Sequence, residues 1–388
     1  MDFQLSEEQR MIRETARSFV DKEVIPHVKS WEEKGEIPRS VTDRVAELGF
    51  FGMPIPEEYG GAGMDYVSFA LVVEEIARGC NSLRTTLSVQ TSLVATTLLA
   101  FGNEEQKRKY LTPIAQGKKL GAWALTEPDA GSDAANQRTA AVREGREWVL
   151  NGSKRFISNG NVADYVIVFA RLPKTEGHEG ICAFLVEKGT SGFSAPHVET
   201  NTKLGLRASP TADLAFDDCR ISVENIVGQE GQGWEIAMYV LNHGRLGVAA
   251  GAVGIGQACL EASIEHARER KAFGRPIGSF QLIQEMIAEM AVDVEAARLL
   301  YLKAAWLRDQ NVDNTLAVSV AKLFGAQMAM RSADRAVQVH GGYGFSGDYP
   351  VERHFRDAKI LGIYEGTNEI QKLIIAREVI GELRRSEA

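Results

Sequence analysis

Cysteine is scarce in this sequence, and the cysteines present are not arranged in pairs. Cys80, Cys182, Cys219 and Cys259 are spread over 388 residues, with no C-x-x-C motif and no tight spacing to histidine. A disulfide framework or a structural zinc site needs cysteines at short, regular spacings. We therefore expect neither disulfides nor a metal site, and we expect a protein of a reducing compartment, the cytoplasm.

Positive charge is also in deficit. With 44 Lys and Arg against 52 Asp and Glu, the net charge at pH 7 is −8. A nucleic-acid-binding protein needs an excess of Lys and Arg on one face to neutralise phosphates. We therefore predict no nucleic-acid partner. The hydrophobic share of 44% and the charged share of 25% are those of a globular protein, and the length allows two or three domains.

Long apolar runs are missing from the sequence, and we expect no targeting segment. Its longest weakly polar stretch, Leu246 to Leu260, is shorter than a bilayer span and is flanked by Arg245 and Glu261. The N-terminus, MDFQLSEEQR, is acidic and has no apolar core of a signal peptide. We predict a buried helix at Leu246 to Leu260, no membrane span and a cytoplasmic location.

Several widespread catalytic motifs are missing as well. The sequence contains no H-E-x-x-H, no G-x-S-x-G and no Walker loop. These patterns place a catalytic metal, a nucleophilic serine and a nucleotide phosphate respectively. Their absence argues against the common metalloprotease, α/β-hydrolase and P-loop classes.

The sequence does show a change in the pattern of apolar and polar residues along the chain. Helical spacing of apolar residues, with Ser6 and Gln9 as a capping box, dominates the first third. From about Leu120 short alternating runs follow one another, and after Gly233 long helical patterns return. We predict a mixed α and β fold, mainly α: an N-terminal helical domain (1–118), a middle antiparallel β-domain (119–228) and a C-terminal four-helix bundle (229–388).

Within the middle segment, Asn151-Gly152 separates two alternating runs. This dipeptide is the strongest short signal for a two-residue hairpin turn, so we predict a hairpin there. In the C-terminal segment, helical patterns extend over Phe280 to Arg308, Leu316 to Val339 and Glu369 to Leu383.

A glycine pattern near the C-terminus resembles a dinucleotide-binding loop. Gly342, Gly344 and Gly347 have the spacing G-x-G-x-x-G, and Glu365 follows about 20 residues later. A Rossmann loop must follow a strand and open a helix, whereas the preceding segment has a helical pattern. Three interpretations remain open on local grounds: a glycine-rich turn between helices, a phosphate-contacting loop and a Rossmann loop.

Two long motifs then resemble the signature patterns of the acyl-CoA dehydrogenases. One is ALTEPDAGSD, with Asn136 departing from the usual small residue, and the resemblance extends from LSEEQ to YEGTNEIQ. The other comprises, in order and spacing, Gln338, Gly341, Gly342, Gly344, Phe345, Asp348, Arg353 and Asp357. The resemblance implies the three-domain fold of that family and a homotetramer, a dimer of dimers, with FAD bound between domains and subunits.

The implied reaction is α,β-dehydrogenation of an acyl-CoA to the trans-2-enoyl-CoA, with flavin N5 as hydride acceptor. Glu365, in IYEGTNE, matches the family's usual catalytic base. A poorly solvated carboxylate suits that role because burial raises its pKa. Without the resemblance, Glu365 is better explained as an N-cap or first-turn acid of the helix beginning near Asn368.

The resemblance also implies cofactor-binding residues, each of which would otherwise be assigned to an ordinary strand, turn or solvated helix face. One group matches positions around the flavin ring: Trp123, Leu125, Thr126, Ser132, Phe156 and Ser158. A second group matches contacts to the FAD of the partner subunit or lies near the same cofactor: Arg270, Gln281, Gln338, Gly341, Gly342, Thr367 and Glu369.

Substrate contacts are implied at Ser132, Tyr364 and Arg245, the last matching an arginine near the CoA moiety. Asn242 stands where many relatives carry Asp. The stretch LRTTLSVQTSLV is similar to the glutaryl-CoA dehydrogenase branch, in which residues matching Arg84 and Thr85 bind the distal carboxylate of the substrate. The glutamate of that branch falls on Ala77, which leaves decarboxylation in question.

Several functions remain open at this point. The substrate is a short or branched, a cyclic or a dicarboxylic acyl-CoA, and electron-transfer flavoprotein is the expected acceptor. Alternatives are a glutaryl-CoA-type dehydrogenase, with or without decarboxylation, and an acyl-CoA oxidase, in which oxygen reoxidises the flavin. A non-catalytic helical scaffold is the alternative from a different class.

Overall fold

The N-terminal part of the chain is helical, and its helices begin at capping residues. In this computed structural model, which describes residues 4–200 and 202–381, Ser6 and Gln9 form the predicted capping box of the first helix. Asp65 caps a later helix by accepting a hydrogen bond from the Ser68 N–H at 2.6 Å. The helices are α1 (Glu7–Phe19), α2 (Val28–Lys34), α3 (Arg39–Glu47), α4 (Tyr66–Gly79), α5 (Asn81–Ser88), α6 (Thr96–Phe101), α7 (Glu104–Gln106) and α8 (Thr112–Ala115).

The helical pattern from Leu83 to Ala100 is interrupted in the structure. A π-helical segment, Val89–Ala95, connects α5 to α6 and adds one residue to the turn. Gln90 within it is fully buried, donates to the carbonyls of Ile114 and Lys119, and accepts from the Gly121 N–H at 2.8 Å. The π-segment thereby fixes the start of the sheet that follows.

The middle part is one twisted sheet. Its strand order is β6-β7-β3-β2-β4-β5-β8, with β1 paired to β4. Most pairs are antiparallel as predicted, but β1 and β2 each pair with β4 in parallel. The strands are β1 (Gly121–Ala124), β2 (Ala140–Glu144), β3 (Glu147–Ser158), β4 (Tyr165–Arg171), β5 (Ile181–Glu187), β6 (Phe193–Glu199), β7 (Thr211–Ser222) and β8 (Ile226–Val227).

Strand β4 is apolar on both faces because both faces are covered. Ile167 and Phe169 belong to a core cluster shared with the N-terminal helices, whereas Val166 and Val168 belong to the cluster inside the β-domain. Successive strand residues point to opposite faces, so a strand buried on both sides shows a continuous apolar run. The sheet is therefore packed against the helical domain and is not a separate body.

The predicted hairpin at Asn151-Gly152 is wrong. Both residues lie inside β3, where a bulge shifts the register against β7 between Leu150 and Gly152. The extra residue of the bulge is on β7, where Asp218 takes φ +46°, and the Asn151 side chain bonds Asp218 across the strands. The tight turn lies instead between β2 and β3, at Gly145-Arg146, where Glu144 pairs with Glu147.

The C-terminal part is a helical bundle with one deeply buried member. It contains α9 (Gly233–Glu269), a small hairpin of β9 (Lys271–Ala272) and β10 (Arg275–Pro276), α10 (Gln281–Asp309), α11 (Thr315–His340), α12 (Val351–Ala358) and α13 (Asn368–Ile380). By length and apolarity α9 would suffice to cross a bilayer, but 72% of its most apolar window is buried inside the fold. It is the core helix of the bundle, and the predicted end of α13 at Leu383 lies outside the described residues.

The glycine pattern Gly342 to Gly347 lies between two helices. Gly341–Phe345 forms a short 3-10 turn directly after α11, and α12 follows. Helix α11, and not a strand, directly precedes this turn. The Rossmann interpretation is therefore wrong, and the interpretation as a turn between helices is confirmed.

Candidate active site

The three parts of the chain enclose one large cavity of about 1040 Å³. Its walls come from α5, the π-segment, the ends of β1 and β3, the first half of α9 and the loop before α13. The structure brings together in this cavity a first set of the predicted site residues: Arg84, Thr85, Trp123, Leu125, Thr126, Ser132, Phe156, Ser158, Arg245, Tyr364 and Glu365.

The wall contributed by the β-domain is apolar with a polar rim. The Trp123 ring packs edge-on against Phe169, with ring centroids 4.7 Å apart, and Phe156 is 57% exposed. The hydroxyls of Thr126 and Ser158 make no hydrogen bond within residues 4–200 and 202–381. They are therefore free to bind a ligand in the cavity.

A buried lysine missed in the sequence supports this wall. Lys154 has an exposed fraction of 0%, and its Nζ donates to the Leu125 carbonyl at 3.1 Å and to Glu127 and Gln137 at 2.8 Å. Glu127 also accepts from the Arg138 and Thr139 N–H groups. This network holds the Leu125–Glu127 backbone at the cavity.

Glu365 is presented to the cavity by an unusual turn. It takes φ +50° and the next residue, Gly366, takes φ +90°, so two left-handed residues follow each other. Although the residue as a whole is half-buried, its Oε2 atom is shielded from solvent and has no hydrogen-bond partner among the described residues. The cap of α13 is Thr367, which accepts from the Ile370 N–H, so the alternative assignment of Glu365 as helix cap is wrong.

The electrostatics of Glu365 are dominated by desolvation. Burial raises the pKa of its carboxyl to about 7, although Arg84, Lys322 and Arg245 each act to lower it. Gly244 on α9 makes room for the carboxylate, because a Cβ at that position would stand 2.0 Å from Oε2. The carboxyl can therefore take up and release a proton near neutral pH.

Arg84 is a fully buried arginine at one end of the cavity. Its Nε donates to Asn81 Oδ1 at 2.8 Å, and its Nη2 donates to the Tyr364 hydroxyl. Among the residues the structure describes, Arg84 forms no ion pair with a carboxylate. The neighbouring Thr85 uses its hydroxyl to donate to the Asn81 carbonyl at 2.9 Å.

Ser88, one turn after Arg84, also lines the cavity and was missed in the sequence. Its Oγ is buried and has no partner in the described part of the chain, so a ligand could bind it. The segment 83–94 contains several hydroxyl residues, and nothing in their order distinguishes Ser88. Ala77 is not part of the cavity lining, and it packs against Gly254 instead.

Arg245 lies on α9 at a different part of the cavity wall. Its Nη1 donates to Asn242 Oδ1 at 3.2 Å, while its Nε is buried without a partner in the described ranges. Burial lowers the pKa of this guanidinium. Asn242 in turn donates toward Asn314 and Thr315, so it connects α9 to the start of α11.

The remaining predicted residues do not line this cavity. Arg270 lies over the ring of Tyr343, 5.1 Å from its centroid, beside the turn that contains Gly341 and Gly342. These residues, together with Gln281 and Gln338, are exposed and lie outside the cavity lining. Thr367 and Glu369 lie at the start of α13, next to the Glu365 turn.

Comparison of the sequence with models of known families assigns all three parts of the chain to one family. Family models described as acyl-CoA dehydrogenase N-terminal, middle and C-terminal domains match residues 6–118, 122–219 and 231–380. The chain belongs to the acyl-CoA dehydrogenase family. It is an oxidoreductase, and its cofactor is FAD.

Individual members of the family are similar over nearly their whole length. A short-chain-specific acyl-CoA dehydrogenase of Clostridium acetobutylicum is 46% identical, covering 98% of this chain and 100% of the relative. A glutaryl-CoA dehydrogenase of Desulfococcus multivorans is 43% identical, covering 98% of both.

Solved structures show the same similarity. The butyryl-CoA dehydrogenase of Megasphaera elsdenii superposes with a TM-score of 0.96 at 42% identity, covering 98% of this chain and 100% of that one. A chain from work on the electron transferring flavoprotein of Acidaminococcus fermentans gives 0.96 at 45% identity, with the same coverage.

The cavity of this acyl-CoA dehydrogenase fits the flavin of FAD. A flat, mostly apolar ring with a polar edge requires apolar walls and a few donors or acceptors at one rim. Trp123, Leu125 and Phe156 supply such walls, and the free hydroxyls of Thr126 and Ser158 lie at the rim. The chemistry of these side chains is therefore consistent with the cofactor.

Replacing Glu365 by glutamine in the FAD-loaded enzyme is expected to raise thermal stability, and more so at higher pH. The pKa of the carboxyl is about 7 in the fold against an ordinary 4.5. Between pH 4.5 and pH 7 the folded state therefore keeps a proton that the unfolded chain releases. The free energy of unfolding of the wild type falls as pH rises from 4.5 through about 7. Glutamine avoids that loss, on the order of 3 kcal/mol at pH 8. Melting temperatures at pH 5 and pH 8 measure the difference.

The matched control for this experiment is Glu285→Gln, because Glu285 is exposed on α10. Because the Glu285 side chain is exposed, its replacement should leave the fold unchanged, and this variant should follow the wild type at each pH. An equal gain of melting temperature at pH 5 and pH 8 for Glu365→Gln would contradict the raised pKa.

Proposed function

We propose that this acyl-CoA dehydrogenase oxidises a short acyl-CoA whose far end carries a carboxylate, with Glu365 as the base. The single observation that supports the substrate class best is that Arg84 is buried at the cavity without an ion pair in the part of the chain that the structure describes. Its guanidinium is fully buried at the cavity and forms no ion pair within residues 4–200 and 202–381. A buried cation without a counter-ion is costly, so a carboxylated ligand would complete the site.

Glu365 takes the proton from the α-carbon of the acyl group. Its Oε2 is desolvated and unbonded, and its pKa of about 7 lies near the working pH, which is the optimum for a general base. When bound, FAD supplies the acceptor for the hydride that leaves the β-carbon. Holding the two carbons between carboxylate and cofactor is a matter of positioning, which the rigid cavity walls provide.

The rest of the thioester occupies the cavity between these groups. Tyr364 places its hydroxyl beside Arg84 and its backbone beside Glu365, so it separates the distal carboxylate from the reacting carbons. Thr85 and the missed Ser88 stand on the same helix wall. Arg245, with an unused Nε, contacts the CoA side of the substrate, and Ser132 contacts the thioester from the β-domain side.

A second substrate class is favoured by a specific contact. The hydrogen bonds from Arg84 to Tyr364 and Asn81 satisfy part of the guanidinium internally, which would suit an enzyme for saturated short-chain thioesters. Ala77 carries no carboxylate and lies outside the cavity lining, so our proposal is limited to dehydrogenation and does not include decarboxylation.

The two groups of predicted cofactor residues suggest how FAD is shared. Trp123, Leu125, Thr126, Phe156 and Ser158 would hold the flavin of their own subunit, with Ser132, Thr367 and Glu369 beside it. The exposed group Arg270, Gln281, Gln338, Gly341 and Gly342 would hold the FAD of a partner subunit in a homotetramer. Exposed apolar side chains support such an assembly: Leu282, Val292, Leu373, Val379 and Ile380.

Three further proposals concern the electron acceptor, the cellular location and the domain limits. Electron-transfer flavoprotein would take the electrons, since a chain of high similarity comes from work on such a flavoprotein. All four cysteines are buried and reduced, which agrees with a cytoplasmic location. We also retain the domain limits 1–118, 119–228 and 229–388.

A panel of thioesters tests the proposed substrate class. Butyryl-, isobutyryl-, cyclohexanecarboxyl-, glutaryl- and succinyl-CoA are each mixed anaerobically with the FAD-loaded enzyme, and bleaching of the flavin absorbance is followed. We expect the carboxylated thioesters to reduce the flavin fastest, because only they provide a counter-ion for Arg84.

Faster reduction by butyryl-CoA than by every carboxylated thioester would reject the carboxylate proposal in favour of the second class. Peroxide formed in air during turnover, at the rate of substrate loss, would instead identify an oxidase. A colourless protein that binds no thioester would support the non-catalytic scaffold.

A further inference from the structure

A second buried lysine lies directly behind the Glu365 turn. Lys322, on α11, has an exposed fraction of 0%, and its Nζ donates to the Gly366 carbonyl at 2.7 Å. It forms no ion pair with a carboxylate in the described part of the chain. Burying an ammonium group with one backbone carbonyl as its partner destabilises the fold. We therefore expect Lys322 to have a role in function that offsets this cost.

The carbonyl that Lys322 holds belongs to the strained part of the turn. Glu365 takes φ +50° and Gly366 φ +90°, and a non-glycine residue in the left-handed region persists only where its surroundings impose it. Gln371, also fully buried, donates its Nε2 to the same Gly366 carbonyl at 3.1 Å. The turn is therefore held from α11 by Lys322 and from α13 by Gln371.

Lys322 also contributes to the field at the carboxylate. The positive groups that face Glu365 are Arg84 from α5, Arg245 from α9 and Lys322 from α11. The groups that face Lys322 are Glu365, Arg245 and Glu369. Burial lowers the pKa of Lys322 to about 8, so most of its charge remains at pH 7. It stabilises the ionised form of Glu365, which burial disfavours.

We propose that Lys322 is a positioning residue for Glu365: its ammonium fixes the Gly366 carbonyl and with it the turn that presents the carboxylate, and its charge keeps that carboxylate ionised. The inference rests on the proposed role of Glu365 as the base. It assigns to Lys322 no contact with substrate or cofactor, because Lys322 does not line the cavity.

Lys322→Met tests this inference, since methionine fills a similar apolar volume without charge or donor. The first readout is the pKa of the Glu365 carboxyl in the FAD-loaded, substrate-free enzyme. It is obtained by infrared titration as the difference between each protein and its Glu365→Gln counterpart. We expect Lys322→Met to raise that pKa by about one unit or more, because a facing positive charge is removed.

The second readout is flavin reduction by whichever of butyryl-CoA and glutaryl-CoA the wild type oxidises faster. Lys322→Met is expected to slow reduction at pH 7 at least tenfold and to shift the acid limb of the pH profile upward. In a Glu365→Gln background the same change should have little further effect, since the residues act as one unit. Lys303→Met, at an exposed position of α10, is the control and should match the wild type.

The outcomes separate the two hypotheses. An unshifted carboxyl pKa, or an equal loss of rate with and without Glu365, would overturn the role of Lys322. Full flavin reduction by Glu365→Gln would instead overturn the assignment of the base, while the infrared titration would still decide whether Lys322 controls the carboxyl. Where Lys322→Met does not fold, Lys322→Gln is measured in the same way, because it keeps a donor and removes the charge.

Discussion

Glu365→Gln is expected to bind FAD normally and to lose flavin reduction by acyl-CoA, with a rate about 10²- to 10⁴-fold below that of the wild type. This is the range that a positioned general base contributes. Glutamine keeps the size of the side chain and the left-handed turn at φ +50°, but it cannot accept the α-proton. Stopped-flow bleaching of the flavin under anaerobic conditions measures the rate, and the absorbance spectrum reports bound FAD.

The absorbance spectrum of the bound flavin serves as the control for this variant. A cavity that is intact should show unchanged flavin bands, since Glu365 is not among the residues proposed to hold the ring. Glu285→Gln, exposed on α10, should reduce at the wild-type rate. A rate for Glu365→Gln within a few-fold of the wild type would show that the base lies elsewhere in the cavity.

The family resemblance was sufficient to predict the three-part fold and a first set of residues that line the main cavity, but not Ser88. The signature around Ala124 to Asp133 contains the loop after β1, and IYEGTNE contains the turn before α13. Such long motifs combine many positions, so their spacing specifies a place in a known fold. The role of Arg270, Gln281, Gln338, Gly341 and Gly342 stays a prediction, because it concerns the FAD of a partner subunit.

Local rules failed where tertiary contacts decided the conformation. Asn151-Gly152 has the composition of a tight turn, yet β3 continues through it and stays paired with β7, which carries the extra residue of a bulge opposite Asn151. The helical pattern of 83–100 conceals the π-segment, whose extra residue is fixed by the hydrogen bonds of Gln90 to Ile114 in α8 and to Gly121 at the start of β1. In both cases the deciding partner is remote in sequence.

The supporting lysines were missed for a related reason. Lys154 and Lys322 stand in strand and helix patterns where a lysine normally indicates a solvent-facing position. Their burial becomes visible only when the partners, the carbonyls of Leu125 and Gly366, are placed beside them. A lysine at a position that periodicity assigns to the core is the one signal that could have identified them.

Arg84→Met is expected to reverse the substrate preference. For glutaryl-CoA, kcat/KM should fall about 10²- to 10³-fold, because removing one partner of a buried ion pair leaves an uncompensated charge that costs about 3–5 kcal/mol. For butyryl-CoA, which brings no carboxylate, kcat/KM should fall much less than for glutaryl-CoA, because this substrate loses only the Arg84 charge that favours ionised Glu365. Initial rates of flavin reduction with the two thioesters, compared within one preparation, give the ratio.

Butyryl-CoA is an internal control for folding, and Tyr364→Phe is the matched structural control. That variant removes the hydroxyl to which Arg84 donates but leaves the guanidinium and its bond to Asn81 in place. If Arg84 serves the substrate, the freed donor remains available and glutaryl-CoA should lose much less than in Arg84→Met. If Arg84 is only a buried strut between α5 and the Glu365 turn, both variants should impair both thioesters equally, and the carboxylate proposal would fall.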